Sequence, residues 1–280
     1  MRQPSKHRSF LAFASAVCAT LMSSAVSAAI DVPRVPLQSG TAVPPNIMFI
    51  LDDSGSMHGE IMPSELVFDT TVCIDGSGNV DKDCFRQGIG YVFPRADGVY
   101  GGTDYGNLVA NVTKDSGYGA RVRSARFNTI YYNPAITYQP WSNADATLRA
   151  NANPLCALHN PERVGTGEAF CRNLAVDNTN YNTNRWQDYS TEYCDAGVAC
   201  LREIATRTFW PASYFNYDGV GDATLASSYT KVEIRPTQLT YTGDGRAART
   251  DCTAGTCTYA QEIQNFANWY QYYRSRVLLA

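Results

Sequence analysis

The chain has 280 residues, 44% of them hydrophobic, with 23 Lys and Arg against 26 Asp and Glu. That is enough apolar material to bury a core in one or two domains. The near balance of charge, with no block of basic residues, argues against a nucleic-acid-binding role.

The first 28 residues read as a secretory signal. Arg2, Lys6 and Arg8 form a basic head, Phe10 to Met22 is largely apolar, and Val26-Ser27-Ala28 offers the small residues that signal peptidase needs. The apolar part is too short, and too interrupted by Ser and Thr, for a membrane span, and no later run is long enough to be one. The signal holds three basic and no acidic residues, so its removal takes the formal charge from −3 to −6. It also discards Cys18 and leaves eight cysteines: Cys73, Cys84, Cys156, Cys171, Cys194, Cys200, Cys252 and Cys257. An even count after export favours disulfides. Proximity pairs them 73 with 84, 156 with 171, 194 with 200, and 252 with 257. A zinc site is the rival reading, weakened by the lack of Cys-x-x-Cys and by the two histidines, His58 and His159, that remain.

Residues 29–45 read as a linker. Residues 46–57 follow, Asn46-Ile47-Met48-Phe49-Ile50-Leu51-Asp52-Asp53-Ser54-Gly55-Ser56-Met57. The unbroken apolar run predicts a short strand buried on both faces, as in a parallel sheet. Ligands bind at the carboxyl ends of such strands. There the spacing Asp-x-Ser-x-Ser turns one carboxylate and two hydroxyls, from Asp52, Ser54 and Ser56, toward a common point. These hard oxygen donors suit Mg²⁺, Mn²⁺ or Ca²⁺; the plainer reading is a polar turn closing a strand. The run Phe49 to Met57 resembles the first strand and metal-ion-dependent adhesion site of von Willebrand factor A domains. The resemblance implies a Rossmann-type α/β fold. It also implies metal contact through water for Asp52 and directly for Ser54 and Ser56, with a Thr and a second Asp from later loops and a carboxylate from the bound partner.

Residues 58–258 depart from that pattern. They are rich in Tyr, Asn, Thr, Gly and Cys and read as a β- and loop-rich, disulfide-stapled insertion between the first strand and the first helix. Lys231 to Arg235 alternates as a half-buried or edge strand, ended by Pro236. Aromatics cluster around two prolines between Arg126 and Trp141, which predicts an extended stretch pinned over a core by large rings; a Tyr-rich contact surface is the alternative. Asp75 to Asp83 spaces oxygen donors as calcium loops do, but Val80 stands where Gly is needed and Arg86 where the closing Glu belongs, so a solvated turn is the better reading. Asn216 to Asp222 reads the same way.

From Tyr259 the pattern becomes helical and stays so for about twenty residues. Ile263, Phe266, Ala267, Tyr270, Tyr273, Arg274 and Val277 mark an apolar face, and Gln264, Asn268, Gln271 and Ser275 the opposite one. Glu262 near its start and Arg274 and Arg276 near its end suit the helix dipole. Residues 259–280 would be the delayed first helix of the A-like domain.

Three anchors now stand in order: Pro45 to Met57, Phe127 to Pro140 with its Tyr132-Asn133-Pro134, and Asn265 to Arg276. Together they resemble the amino-terminal part of the PilC/PilY family of type IV pilus tip-associated proteins. The resemblance implies an exported protein of the periplasm, pilus tip and cell surface. It would act with minor pilus subunits in pilus biogenesis and adhesion, capturing a carboxylate-bearing surface or host ligand through the metal site. It also implies that the chain is an amino-terminal fragment or truncated frame, with an incomplete A-like domain, no carboxyl-terminal propeller, and weak metal binding alone. A purely structural role in pilus assembly is the alternative. A secreted metal-dependent hydrolase lacks support, since neither a nucleophile elbow nor His-Glu-x-x-His is present.

Overall fold

Thr258 sets the first turn of the element on which the structure is built. Its hydroxyl accepts from the Gln261 amide while Gln261 Oε1 accepts from the Thr258 amide at 2.8 Å, a reciprocal cap that starts a helix at Tyr259–Tyr272. The computed structural model describes residues 55–63, 66, 90–93, 109–110, 117–180, 185–187, 202–204 and 207–279, which lie in one compact unit, 51–280. The signal segment, the linker, the strand expected at 47–51, the turn at 75–83 and Cys73, Cys84, Cys194 and Cys200 lie outside them.

Helices among the described residues are α1 (Gly117–Val122), α2 (Tyr259–Tyr272) and α3 (Arg276–Leu279). The helix expected from Tyr259 to the chain end is therefore interrupted between Tyr272 and Arg276. Arg274 accounts for the break. In a continuous helix the Tyr270 carbonyl would accept from the Arg274 amide. Here it accepts instead from Arg274 Nη1 at 2.8 Å, while Nη2 reaches the His159 carbonyl at 2.7 Å. The side chain that would have continued one face is drawn inward and caps its own helix.

Of the expected apolar face, Ile263, Phe266, Ala267, Tyr270 and Arg274 are buried and Tyr273 and Val277 half-buried, while Trp269, outside that face as expected, is also in the core. The expected solvent face is a correction. Asn268, Gln271 and Ser275 of that face are buried and Gln264 half-buried, with Asn265 buried beside them, because the chain packed over them has almost no regular structure and needs partners for its backbone. Asn265 Oδ1 accepts from the Tyr138 amide at 2.7 Å, and its Nδ2 donates to the Ile136 carbonyl at 2.8 Å. One turn on, Asn268 Oδ1 accepts from the Ala152 amide at 2.9 Å and Nδ2 donates to the Tyr138 carbonyl at 2.9 Å. Gln271 Oε1 accepts from the Leu158 amide at 3.0 Å, and Gln264 Nε2 donates to the Ala152 carbonyl at 2.8 Å. A polar stripe at helical spacing thus takes the place of a neighbouring strand.

The aromatic segment is structural, as its composition suggests. Tyr131 and Tyr132 are almost completely buried. Tyr131 stands edge-on to Trp269 at 4.8 Å, Tyr132 lies 4.9 Å from Phe266, and Trp269 Nε1 donates to the Ile130 carbonyl at 2.9 Å.

Strands are short and mostly antiparallel. Strands β1 (Val109–Ala110), β5 (Arg185–Gln187) and β6 (Arg202–Ile204) form one small sheet. The others pair two by two: β2 (Ala157–Leu158) with β3 (Cys171–Arg172), β4 (Asn178–Asn180) with β7 (Arg207–Phe209), β8 (Ser213–Tyr217) with β9 (Tyr229–Glu233), and β10 (Thr240–Tyr241) with β11 (Cys257–Thr258). The alternating stretch Lys231 to Arg235 overlaps β9, which starts two residues earlier and ends at Glu233, short of Pro236. Only β1 with β5 runs parallel among the described residues, so a Rossmann-type sheet is not seen there. Two of the four expected disulfides fall within the described residues and both are formed: Cys156–Cys171 staples β2 to β3, and Cys252–Cys257 closes the turn leading into β11.

The polar stripe gives a test with opposite signs. Were Asn268 on a solvent face, Asn268→Ala would stabilise slightly through helix propensity, by up to ~0.7 kcal/mol. Buried as it is, the substitution orphans the Ala152 amide and Tyr138 carbonyl and should cost about 2–4 kcal/mol, read from the urea midpoint.

Candidate functional site

The acidic loop that follows the expected first strand enters the described residues at Gly55. Gly55–His58 forms one turn of 3-10 helix carrying Ser56. Asp52 and Ser54 lie outside the described residues, as does the Ser56 side chain, so the arrangement of the three expected ligands lies outside them too. Their donor set, one carboxylate and two hydroxyls, fits a hard divalent cation. No group of three or more His, Cys, Asp or Glu close enough to hold a metal occurs among the described residues. The turn at Asn216 to Asp222 behaves as a solvated turn. Asp218 Oδ1 accepts from the Val220 and Gly221 amides, and Asp222 Oδ1 from the Thr224 amide, which holds both carboxyls below their ordinary range.

Directly after Ser56 the chain is fixed from several sides. The Gly59 carbonyl accepts from the Arg276 amide, and the Glu60 amide donates to the Gly90 carbonyl. Asn128 bridges the next two positions: Nδ2 donates to the Glu60 carbonyl at 2.9 Å, and Oδ1 accepts from the Met62 amide at 3.0 Å. Arg276 Nη2 donates to the Ile61 carbonyl at 2.7 Å.

Glu60 is the centre of this collar. It is 3% exposed, a burial that a carboxylate tolerates only when paired. Oε2 accepts from the Val92 and Phe93 amides at 2.8 and 2.9 Å, and Oε1 from Arg274 Nε at 3.0 Å. Arg274 is as deeply buried as its partner, and its guanidinium also stacks on the Tyr270 ring at 4.5 Å. Through this pair the end of α2 holds the segment that begins three residues past Ser56. Helical period alone assigns Arg274 and Arg276 to the helix dipole and passes over Glu60 and Asn128. The available signal is a single acid, Glu60, in the otherwise acid-free run Met57 to Pro63.

A second buried polar chain lies beside the collar. His159 is 2% exposed; its Nε2 meets the Glu168 carbonyl at 3.0 Å and its Nδ1 the Tyr270 hydroxyl at 2.9 Å. A carbonyl can only accept, so Nε2 carries the proton and the Tyr270 hydroxyl donates to Nδ1. Arg172 Nε donates to that hydroxyl in turn at 3.1 Å. Burial, with Arg274 and Arg172 close by, pushes the His159 pKa well below its ordinary value. His58, half-buried, is lowered by burial in the same sense.

Comparison with family models, with curated proteins and with solved structures finds no match to this chain.

Two outcomes follow from these pairs. Glu60→Gln leaves the Arg274 guanidinium buried without its counter-charge and should cost about 3–5 kcal/mol of unfolding free energy, measured by chemical denaturation. The histidines set the pH dependence. The unfolded chain takes a proton near pH 6.5, whereas folded His159 stays neutral to lower pH. Stability should therefore be level above about pH 7 and fall as pH drops toward 5, by at most ~1.4 kcal/mol per pH unit for this group. In melting curves His159→Gln should flatten that slope, leaving the smaller contribution of His58.

Proposed function

We propose that this chain is the amino-terminal part of a type IV pilus-associated adhesin and pilus biogenesis factor of PilC/PilY type. In this reading it is exported to the periplasm and carried to the pilus tip and cell surface. It acts there with minor pilus subunits and serves as a binding protein, with no catalytic role. Asp52, Ser54 and Ser56 would hold Mg²⁺, Mn²⁺ or Ca²⁺. The bound cation would supply a positive centre for a ligand carboxylate, with the first strand at 47–51 and α2 belonging to an A-like domain. The residues themselves would orient that cation through one carboxylate and two hydroxyls, and the Glu60 collar would hold the distal end of the loop.

The observation that carries this reading is that two of the segments bearing the resemblance pack together and the chain just past the third is bonded to both. The residues following Met57 bond to Asn128 and Arg274. The Phe127 to Pro140 stretch bonds to Asn265, Asn268 and Trp269. The second and third segments thus pack directly on one another, and the stretch Glu60 to Met62 just past the first joins them. The two disulfides add support for an oxidising, extracytoplasmic location.

The test is Asp52→Ala in the chain expressed by its own bacterium, scored for pilus number and for attachment. Attachment should fall by about tenfold or more with pili still present, matching the effect of chelation on the unaltered chain. Loss of pili would favour the assembly role, and unchanged attachment would remove the metal site from the account.

A further inference from the structure

Strands β2 and β3 form a hairpin that lies against α2 near its carboxyl end. The Cys156–Cys171 bridge closes it at the base, beside the pairing of Ala157 with Arg172. Arg172 anchors that base: its Nη1 donates to Asn178 Oδ1 at 3.0 Å, and the guanidinium lies over the Phe93 and Phe209 rings at 5.7 and 5.5 Å. Beyond the bridge the hairpin has bonds of its own. The His159 amide donates to the Phe170 carbonyl, and the Arg163 guanidinium stacks on the Phe170 ring.

The part beyond the bridge buries little apolar surface. In residues 158–170, a stretch described throughout, only His159 and Asn160 are buried. Its ties to α2 and the turn that follows are polar. The Leu158 amide donates to Gln271 Oε1 at 3.0 Å, the His159 carbonyl accepts from Arg274 Nη2 at 2.7 Å, and His159 Nδ1 accepts from the Tyr270 hydroxyl at 2.9 Å. Two of these bonds belong to His159. The Arg149–Glu162 ion pair adds a link at the surface, where such pairs contribute little.

A proton on Nδ1 breaks this arrangement. That nitrogen accepts in the neutral ring and can only donate once protonated. The Tyr270 hydroxyl would then receive from both Nδ1 and Arg172 Nε, and its own hydrogen would lose the acceptor it has. The new charge would also stand close to two guanidiniums, Arg172 from β3 and Arg274 from the turn after α2, while the ring's other partner is the uncharged Glu168 carbonyl. Away from α2 the ring takes the proton at no such cost. A cavity of about 480 Å³ lies alongside, lined by His159, Arg172 and the exposed residues Glu168 and Asp177, and gives the charged ring room beside two carboxylates. We propose that residues 158–170 form an acid-released flap, hinged at the Cys156–Cys171 bridge, that lifts from α2 when His159 takes up a proton. The Glu60–Arg274 pair is not part of the flap, and the inference stands apart from Asp52, Ser54 and Ser56.

The test is amide hydrogen exchange followed by NMR on the exported, disulfide-bonded chain, with rates corrected for the intrinsic pH dependence of exchange. The Leu158 amide, bonded across to Gln271, reports lifting. The His159 amide, bonded within the hairpin, and the Phe266 amide, in the middle of α2, report larger unfolding. Leu158 should exchange at least about tenfold faster than both, as a local opening does. The closed ring stays neutral and the lifted ring charges near its ordinary pKa, so lifting grows as pH falls. Between about pH 7.5 and about pH 5 Leu158 exchange should accelerate about thirtyfold, the effect of one proton. In His159→Gln, whose neutral side chain can still donate and accept, that acceleration should disappear. A Leu158 rate indifferent to pH, or no faster than that of Phe266, would overturn the proposal in the unaltered chain, and so would an acceleration that persists in His159→Gln.

Discussion

Side-chain carboxamides of one helix supply the hydrogen bonds that a neighbouring strand would otherwise provide, and the rest of the fold depends on that substitution. Between Asn128 and His159 the chain carries one two-residue strand, yet parts of it, among them Ile130 to Tyr132, Ala152 and Ala157, are buried. Buried amides and carbonyls must be paired, and an irregular path cannot pair them with itself. Asn265, Asn268, Gln264 and Gln271 meet this need from one helical stripe, and the Tyr272 and Tyr273 hydroxyls extend it to the Ala150 and Gln139 carbonyls. The aromatic face of the same helix fills the volume beneath. Rings of Tyr131, Tyr132 and Trp269 pack while their polar tips find partners, so Tyr and Trp serve this core better than Leu or Ile would. Burial keeps the Tyr131 and Tyr132 hydroxyls protonated far above the ordinary tyrosine range.

Each end of the helix is tied by a buried carboxylate. Near the amino end this is Glu262, which accepts from Arg246 and Arg249 and from the Tyr132 hydroxyl. Burial works against the Arg246 charge, and hydrogen bonding and attraction from Glu262 more than restore it. Two guanidiniums around one carboxylate would leave excess positive charge. Asp244 and Asp251, each paired with one of the arginines, balance it. At the carboxyl end Glu60 and Arg274 form the second tie. Such pairs add little net stability over apolar replacements, but they admit one register only. The Cys252–Cys257 bridge closes the loop between Asp251 and the Thr258 cap, and so acts on the same end of the helix as Glu262.

Much of this frame is legible in the chain. The helix announces itself by period, and its cap is written as Thr258-x-x-Gln261. The disulfides observed follow from sequence proximity, and the density of rings near Tyr132 marks a core segment. What period cannot tell is what lies opposite a polar stripe. Asn and Gln at helical spacing look the same whether they face water or an irregular segment that arrives from more than a hundred residues away. The break after Tyr272 is equally hidden, because Arg274 is an ordinary helix former until a distant Glu60 draws it inward. Of the candidate metal site, the donor types are readable from Asp52-x-Ser54-x-Ser56, whereas the collar that follows is a tertiary product of four segments.

That collar limits how the loop can move. From Gly59 to Met62 the backbone is bonded to Gly90, Asn128, Thr129 and Arg276, and the Glu60 side chain is locked to Val92, Phe93 and Arg274. A displacement at Ser56 cannot pass through this stretch without breaking several buried bonds together, each costly to leave unmade. The single turn Gly55–His58, with the poorer hydrogen-bond geometry of a 3-10 helix, is what joins the loop to this stretch. The architecture thus places the turn Gly55–His58 directly before a cross-linked base that is tied to the end of α2 through Glu60 and Arg274.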